Sequence, residues 1–436
     1  MYVRTLLVSL MLASTAISQA PLPQPQQNAP PRAGQPLPGL NPQELAYFLE
    51  GATRFNEIDS VSGTQPGATG SGLGPRFNLN SCAGCHAHPS VGGSSPQINP
   101  EIAMATNFGA INTLPAFVQQ NGPVHVVRFL RNADGTPDGG VHNLFVITGR
   151  SDAAGCKIAQ PDFATAAEQN NIALRIPTPV FGAGLIESIT DSAILASQTA
   201  NATLTASLGI SGHVNRNPND GTITRFGWKA QNKSLMLFGG EAYNVEQGVT
   251  NEIFPTERDE TPGCVFNTTP EDATDFTASS LLKGISDVTG FRAFMRFLAP
   301  PVPAPDNPSI VAGRQAFAQI GCTACHTAIL TTGNADSPAL RNQQAHLYSD
   351  LLVHNMGTGL ADGVTQGSAL GDEFRTAPLW GLGQRIFFLH DGRAADLGTA
   401  IAAHASPGSE ANTVIGAYNA LPSATKQNIL NFLQSL

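Results

Sequence analysis

Two pentapeptides of one type stand far apart in the chain, Cys82-Ala83-Gly84-Cys85-His86 and Cys322-Thr323-Ala324-Cys325-His326. Two thiols three residues apart can each add to one vinyl group of the same porphyrin, and the adjacent imidazole then lies under the iron. C-x-x-C-H is therefore a c-type haem attachment pattern with histidine as the proximal ligand. With 6 cysteines and 10 histidines in 436 positions, chance supplies on the order of 0.002 such pentapeptides. A zinc site built from the same residue types would want a fourth ligand and usually a second nearby Cys or His pair, and is the weaker reading.

The sixth position of each iron decides its use. A strong protein ligand favours electron transfer, whereas an open or displaceable position admits oxygen or peroxide chemistry. After the second motif the leading candidate is Met356, inside Val353-His354-Asn355-Met356-Gly357-Thr358-Gly359, where glycines let a loop pass close to a porphyrin face. His354, His390 or a purely packing methionine are its alternatives. After the first motif no donor is as persuasive. His125, His142 and Met104 are present, but a lone histidine on a β-rich stretch is more often structural. One haem with a candidate methionine and one without is the asymmetry a di-haem enzyme needs.

The elements that must hold these residues are partly visible. Asn41 and Pro42 form an N-cap and first-turn pair ahead of Leu45, Phe48, Leu49 and Ala52, which predicts a helix ending before the glycine-rich run 63–74. Val124 to Leu130 and Val141 to Thr148 are β-rich runs separated by ADGTPDGG, the pattern of a hairpin. Arg225 to Phe254, with Trp228, Glu241, Glu246 and Glu252 among glycines, reads as loops and short helix. Leu298 to Pro308 holds five prolines in eleven residues and marks a domain boundary. Beyond it, 309–436 reads as a small all-α unit. One helix runs through Val311, Phe317 and Ile320 into the second motif, a short helix lies near Ala394 to Ala403, and a closing helix capped by Ser423 carries Ile429, Phe432 and Leu433.

The first residues place Arg4 before a short apolar run and then small residues, the pattern of a signal peptide over 1–18 that is too short to span a bilayer. A Pro- and Gln-rich spacer, 19–40, follows. The formal net charge is −9, and loss of Arg4 with the signal lowers it by one more. Such a chain is a poor partner for nucleic acid or an anionic membrane surface. Export assigns the remaining cysteines, Cys156 and Cys264, to a disulfide, with two buried free thiols as the alternative. Closing so long a loop contributes about 4 to 5 kcal/mol in the chain-entropy model.

Two distant C-x-x-C-H sites followed by Arg375-Thr376-Ala377-Pro378-Leu379-Trp380-Gly381-Leu382-Gly383 and Phe388-Leu389-His390-Asp391-Gly392-Arg393-Ala394 resemble the bacterial di-haem cytochrome c peroxidase superfamily, in particular its thiol-oxidoreductase-like di-haem oxidoreductase branch. The resemblance runs from about Pro42 to the end. It implies a mainly α fold with two cytochrome c-like haem domains: 41–299, elaborated with long loops and a small β-hairpin, and 309–436. It further implies two covalently bound haem c groups and calcium between the domains, at a position the sequence does not indicate. The first haem, on Cys82, Cys85 and His86, would be peroxidatic; the second, on Cys322, Cys325 and His326 with Met356, would transfer electrons.

Peroxidases of this group place a glutamate, then methionine and glycine, in a loop over the peroxidatic haem. Val245-Glu246-Gln247-Gly248 is similar, with Gln247 in place of the methionine. Glu246 would then move a proton between the two peroxide oxygens. Trp228 or Trp380 would relay electrons between the haems, against the commoner role of a buried tryptophan in a core. The expected protein is a periplasmic or secreted enzyme reducing hydrogen peroxide or a related oxidant, supplied by a small cytochrome c or cupredoxin. A non-catalytic di-haem carrier, or an oxidase of a thiol, protein or organic substrate, are the alternatives.

Overall fold

Asn41 caps α1 (Pro42–Phe55) as expected, its side chain accepting from the amides of Gln43 and Glu44 while Glu44 reaches back to the Asn41 amide. The structure, a computed structural model, describes residues 33–65, 67–110, 113–138, 146–258 and 261–436. It is mainly helical with a few two-stranded sheets. The proposed signal segment and His142 lie outside the described residues. Residues 35–37 at the end of the Pro- and Gln-rich stretch are docked: Leu37 is buried, and its amide donates to Phe297 O at 2.7 Å.

In the first half, β1 (Asp59–Ser60) pairs in parallel with β2 (Gly70–Ser71), and the one-turn α2 (Cys82–Cys85) carries the first motif. Next come α3 (Pro100–Asn107), β3 (Val126–Phe129), α4 (Phe163–Glu168) and β4 (Ile172–Arg175). The expected hairpin between the runs at 124–130 and 141–148 does not form over the described residues: β3 pairs antiparallel with β4. The turn-rich segment closes on itself instead, with Asn132 N donating to Thr136 O. Asn171 Oδ1 accepts from the amides of Leu130 and Arg131, which finishes the β3–β4 ladder. Met104, on α3, packs in a satellite core with Phe108, Val118 and Phe163, away from both motifs. The Cys156–Cys264 disulfide is present, with Cα atoms 4.7 Å apart.

Helices α5 (Ala183–Ser188), α6 (Asp191–Leu208), α7 (Leu235–Gln247), α8 (Leu281–Gly284) and α9 (Asp287–Phe297) complete this half. Helix α9 crosses α1 on glycine. A Cβ at Gly51 would lie 2.3 Å from Gly290 O, so only two bare backbones can approach this closely. Phe48, Phe55, Phe291 and Phe294 close around that crossing, with ring centroids 4.7 to 6.1 Å apart. Each buried Phe contributes about 1.5–3 kcal/mol.

The Pro-rich segment leads into α10 (Pro308–Gln319), then a 3-10 turn at Cys322–Ala324 that holds the second motif. Strands β5 (Leu330–Thr331), β6 (Gln344–Ala345), β7 (Val353–Asn355) and β8 (Glu373–Arg375) pair in order, so this half is not all-α. It ends in α11 (Leu397–Ala402), α12 (Asn412–Ala420) and α13 (Ser423–Ser435), the last with Ser423 as its first residue rather than its cap. Helix α13 crosses α10 at Gly313, where a Cβ would lie 1.9 Å from Asn428 O. Each motif thus follows a helix that crosses a later helix on glycine. The main core joins both sides of the Pro-rich segment, since Leu330, Leu340, Leu347, Leu351 and Trp380 pack with α5, α7 and α9 residues.

Candidate functional site

Ser81 Oγ accepts from the Gly84 amide and starts the single turn that sets Cys82, Cys85 and His86 on one wall. His86 Nδ1–H donates to Gly93 O at 2.9 Å, which fixes the tautomer and leaves Nε2 with its lone pair toward the cavity. Burial lowers the His86 pKa to about 4, so the ring is neutral. Phe55 sits edge-on to it at 5.9 Å.

The cavity in front of this wall encloses about 1400 Å³ of non-atom space, its mouth included. Its polar lining is unusually ionisable: Glu101, Glu241, Glu246, Arg128 and Arg175. Glu246 is not in a loop, as expected, but in the last turn of α7, with Gly248 in the left-handed conformation just beyond. Glu246 is an exposed residue that borders the cavity. Desolvation first, then the nearby Glu241, raises its pKa from 4.5 to about 7 against the pull of Arg128. Desolvation raises Glu101 to about 8. The neighbouring Gln247 Nε2 donates to Cys82 Sγ at 3.3 Å, and Gln247 Oε1 is buried without a partner. His125 also lines this cavity, its Nε2 bonded to Asp391 O at 3.0 Å and its Nδ1 buried without a partner, and the Met295 methyl packs against Gly239.

The second motif repeats the first wall with other partners. His326 Nδ1–H donates to Tyr348 O at 3.0 Å, and burial lowers its pKa to about 4. The cavity before it, about 1350 Å³ with its mouth, is mostly apolar, lined by Phe317, Leu360, Phe374, Leu379, Phe388 and Val414 among others. It also receives Met356, His354, His390, His404, Arg375 and Arg385. His354 is occupied on both nitrogens, by Asp350 and Glu410 at 2.9 Å each. Burial opposes charging it, but Asp350 and the Cys325 sulfur outweigh burial and raise its pKa well above the ordinary value. Cys325, Asp350 and His354 converge, with both nitrogens of His354 already bonded to carboxylates. His390 is a packed ring, stacked on Phe374 at 4.2 Å and edge-on to Trp228 at 6.4 Å.

The sequence profile of the family described as "Di-haem oxidoreductase, putative peroxidase" matches residues 133–436. The chain belongs to this family. No curated protein matches it. Among solved structures, hydrazine synthase from Kuenenia stuttgartiensis is 13% identical over 99% of this chain and 100% of that one, with a TM-score of 0.38. A variant of the diheme peroxidase BthA from Burkholderia thailandensis is 13% identical over 90% and 85%, with a TM-score of 0.37. A MauG-like protein associated with microbial copper homeostasis is 18% identical over 34% and 52%, with a TM-score of 0.23. At scores this low these likenesses establish neither fold nor function.

A di-haem oxidoreductase has haem as its cofactor, and the residues here fit that group. In each cavity the motif histidine is neutral, with its Nδ1 bonded to a backbone carbonyl and its Nε2 open. Arg375 and Arg385 are buried beside the second cavity without a charged partner. Nη1 of Arg375 and Nε and Nη2 of Arg385 lack any hydrogen bond, and desolvation lowers both pKa values to about 10. Two uncompensated guanidiniums call for an anion, and haem propionates are of that kind. Both arginines also line a smaller cavity between the two large ones, as do Trp228 and Trp380. Trp228 borders all three, its Nε1–H donating to Ile176 O at 3.0 Å.

Most of these polar residues were not legible beforehand. Arg375 lies inside a quoted motif and Arg385 just after one, but their pairing across a cavity is tertiary. A buried ion triad also joins the halves: Asp362 contacts Arg175 at 2.6 Å and Lys229 at 3.1 Å.

Proposed function

We propose that this di-haem oxidoreductase is an exported c-type enzyme that reduces hydrogen peroxide or a related oxidant in the first cavity, with electrons arriving through the second. Cys82, Cys85 and His86 would hold one haem c, and Cys322, Cys325 and His326 the other. The second sixth ligand would come from the wall that carries Met356 and His404. When bound, haem supplies redox-active iron. The chain supplies the proton handling.

The observation that carries this reading is Glu246, in the same cavity as the open face of His86, with its carboxyl raised to about 7. A group balanced between protonation states at neutral pH can take the proton from one peroxide oxygen at a carboxylate oxygen and return it to the departing one. Glu241 and Arg128 tune that balance from opposite directions. Gln247 holds the end of α7 against Cys82 and so sets where the carboxyl stands. Trp228, between the cavities, is the proposed relay for electrons, and Trp380 packs beside it.

The acidic chain suits a basic donor such as a small cytochrome c or cupredoxin. Among the described residues no helix is long and apolar enough to cross a membrane. A periplasmic or secreted location and calcium between the domains complete the proposal, the ion without an assigned site. Steady-state peroxide reduction by the haem-loaded protein tests it. Turnover that collapses in Glu246→Gln while both haems remain supports the reading. Full turnover in that variant removes Glu246, and no turnover in the parent favours a carrier.

A further inference from the structure

Three histidines among the described residues share one posture, and only two belong to C-x-x-C-H motifs. The third is His404, just past the end of α11. Its Nδ1–H donates to Ala400 O at 2.7 Å, as that of His86 does to Gly93 O and that of His326 to Tyr348 O. All three residues are half-buried and border a cavity. An imidazole held this way is fixed in tautomer and direction, with its Nε2 lone pair presented outward, the preparation a metal-ligating histidine needs.

We propose that His404 Nε2, rather than the sulfur of Met356, is the sixth ligand of the haem held by His326. This rests on the di-haem reading and names a ligand within it. His404 and His326 line the same cavity. Of the other imidazoles there, His354 is bonded to carboxylates on both nitrogens, and His390 stacks on Phe374 without the Nδ1–carbonyl bond that directs His404.

Met356 lies on the same wall, since Ser406 Oγ donates to its carbonyl at 3.1 Å. Its side chain, however, belongs to an apolar cluster with Ile176, Trp228, Leu360, Phe374 and Phe387. A flexible thioether packed in that cluster has no directing partner, whereas the His404 ring is pinned by its own helix. Two imidazoles on one iron leave that centre closed, and lower in potential than a histidine–methionine pair. The second cavity would then be a closed electron store, in contrast to the first.

The test uses the haem-loaded protein, with covalent haem counted per chain, then near-infrared magnetic circular dichroism and low-temperature EPR of the oxidised form. The parent is expected to hold two haems, to show a bis-imidazole low-spin signal and to lack a sulfur-to-iron charge-transfer band. Met356→Leu should leave that spectrum unchanged. His404→Met should create the sulfur-to-iron band and raise the potential of one haem.

A sulfur-to-iron band in the parent that disappears in Met356→Leu would overturn the assignment. So would an unchanged spectrum in a folded His404→Met protein. Because the parent spectrum alone reports the ligand type, a variant that fails to fold does not rescue the proposal. Fewer than two haems per chain would instead sink the di-haem reading beneath it.

Discussion

The two cavities are built on one plan and finished in opposite ways. Each lies in front of a one-turn motif that follows a helix crossing a later helix on glycine, and each presents a neutral histidine tied through Nδ1 to a carbonyl. The first is then lined with carboxylates and guanidiniums, two of the carboxyls raised to about 7 and about 8. The second is lined mainly with aliphatic and aromatic groups beside Arg375 and Arg385, and its extra imidazoles are paired, stacked or pinned. A repeated scaffold thus carries one cavity rich in carboxylates and guanidiniums and another that is mostly apolar. The difference lies in the lining, not in the attachment motif.

Removing the proton carrier should have the largest effect. Glu246→Gln is expected to reduce peroxide turnover by about 10²- to 10⁴-fold, with the spectrum of the second haem unchanged, as steady-state kinetics and optical spectra would show. A spectral change at both haems would mean the cavities are less independent than described. Asp362→Asn attacks what joins them, since it leaves Arg175 and Lys229 buried without their shared carboxylate. Denaturant melts should show a loss of about 3–5 kcal/mol.

The pH dependence sharpens the contrast. Glu246 must be ionised to accept a proton, and its folded pKa is raised from 4.5 to about 7. Turnover should therefore rise with pH through about 7 and level off above it. A profile flat from pH 5 to 8 would contradict the role. The electronic spectrum of the second haem should not follow that limb.

Trp228→Phe removes the donor to Ile176 O from the partition. It should cost about 1–3 kcal/mol for the buried carbonyl left unpaired and slow electron transfer between the haems, read by flash reduction. The smallest effect is expected at Met356→Leu, under about 1.5 kcal/mol for a volume-conserving change.

What the sequence revealed depended on how local the signal was. The α1 cap was readable because Asn41 and Pro42 are adjacent and act within one turn. The two motifs were readable because attachment chemistry demands fixed spacing. Over the described residues β3 pairs with β4, which follows α4, although ADGTPDGG carries every mark of a hairpin turn. Glu246 was singled out, but as a loop residue. Its altered acidity comes from the packing of α7 over the cavity, which no local pattern encodes.

The ion triad of Arg175, Lys229 and Asp362 was not visible, since its members meet only when the halves close. His404 was passed over for a related reason. A single histidine after a short apolar helix is unremarkable until its Nδ1 is seen on the Ala400 carbonyl and the rest of its ring in the cavity.

The central claim is that one haem site is open for chemistry and the other closed for electron transfer. Low-temperature EPR with optical spectra, taken on the haem-loaded protein when fully oxidised and again when half-reduced, tests it most directly. A high-spin or five-coordinate centre in either state, lost in a His86 variant and perturbed by peroxide, beside one persistently low-spin centre is the predicted result. Two low-spin, six-coordinate centres in both states, unmoved by peroxide, would contradict it and make the protein an electron carrier.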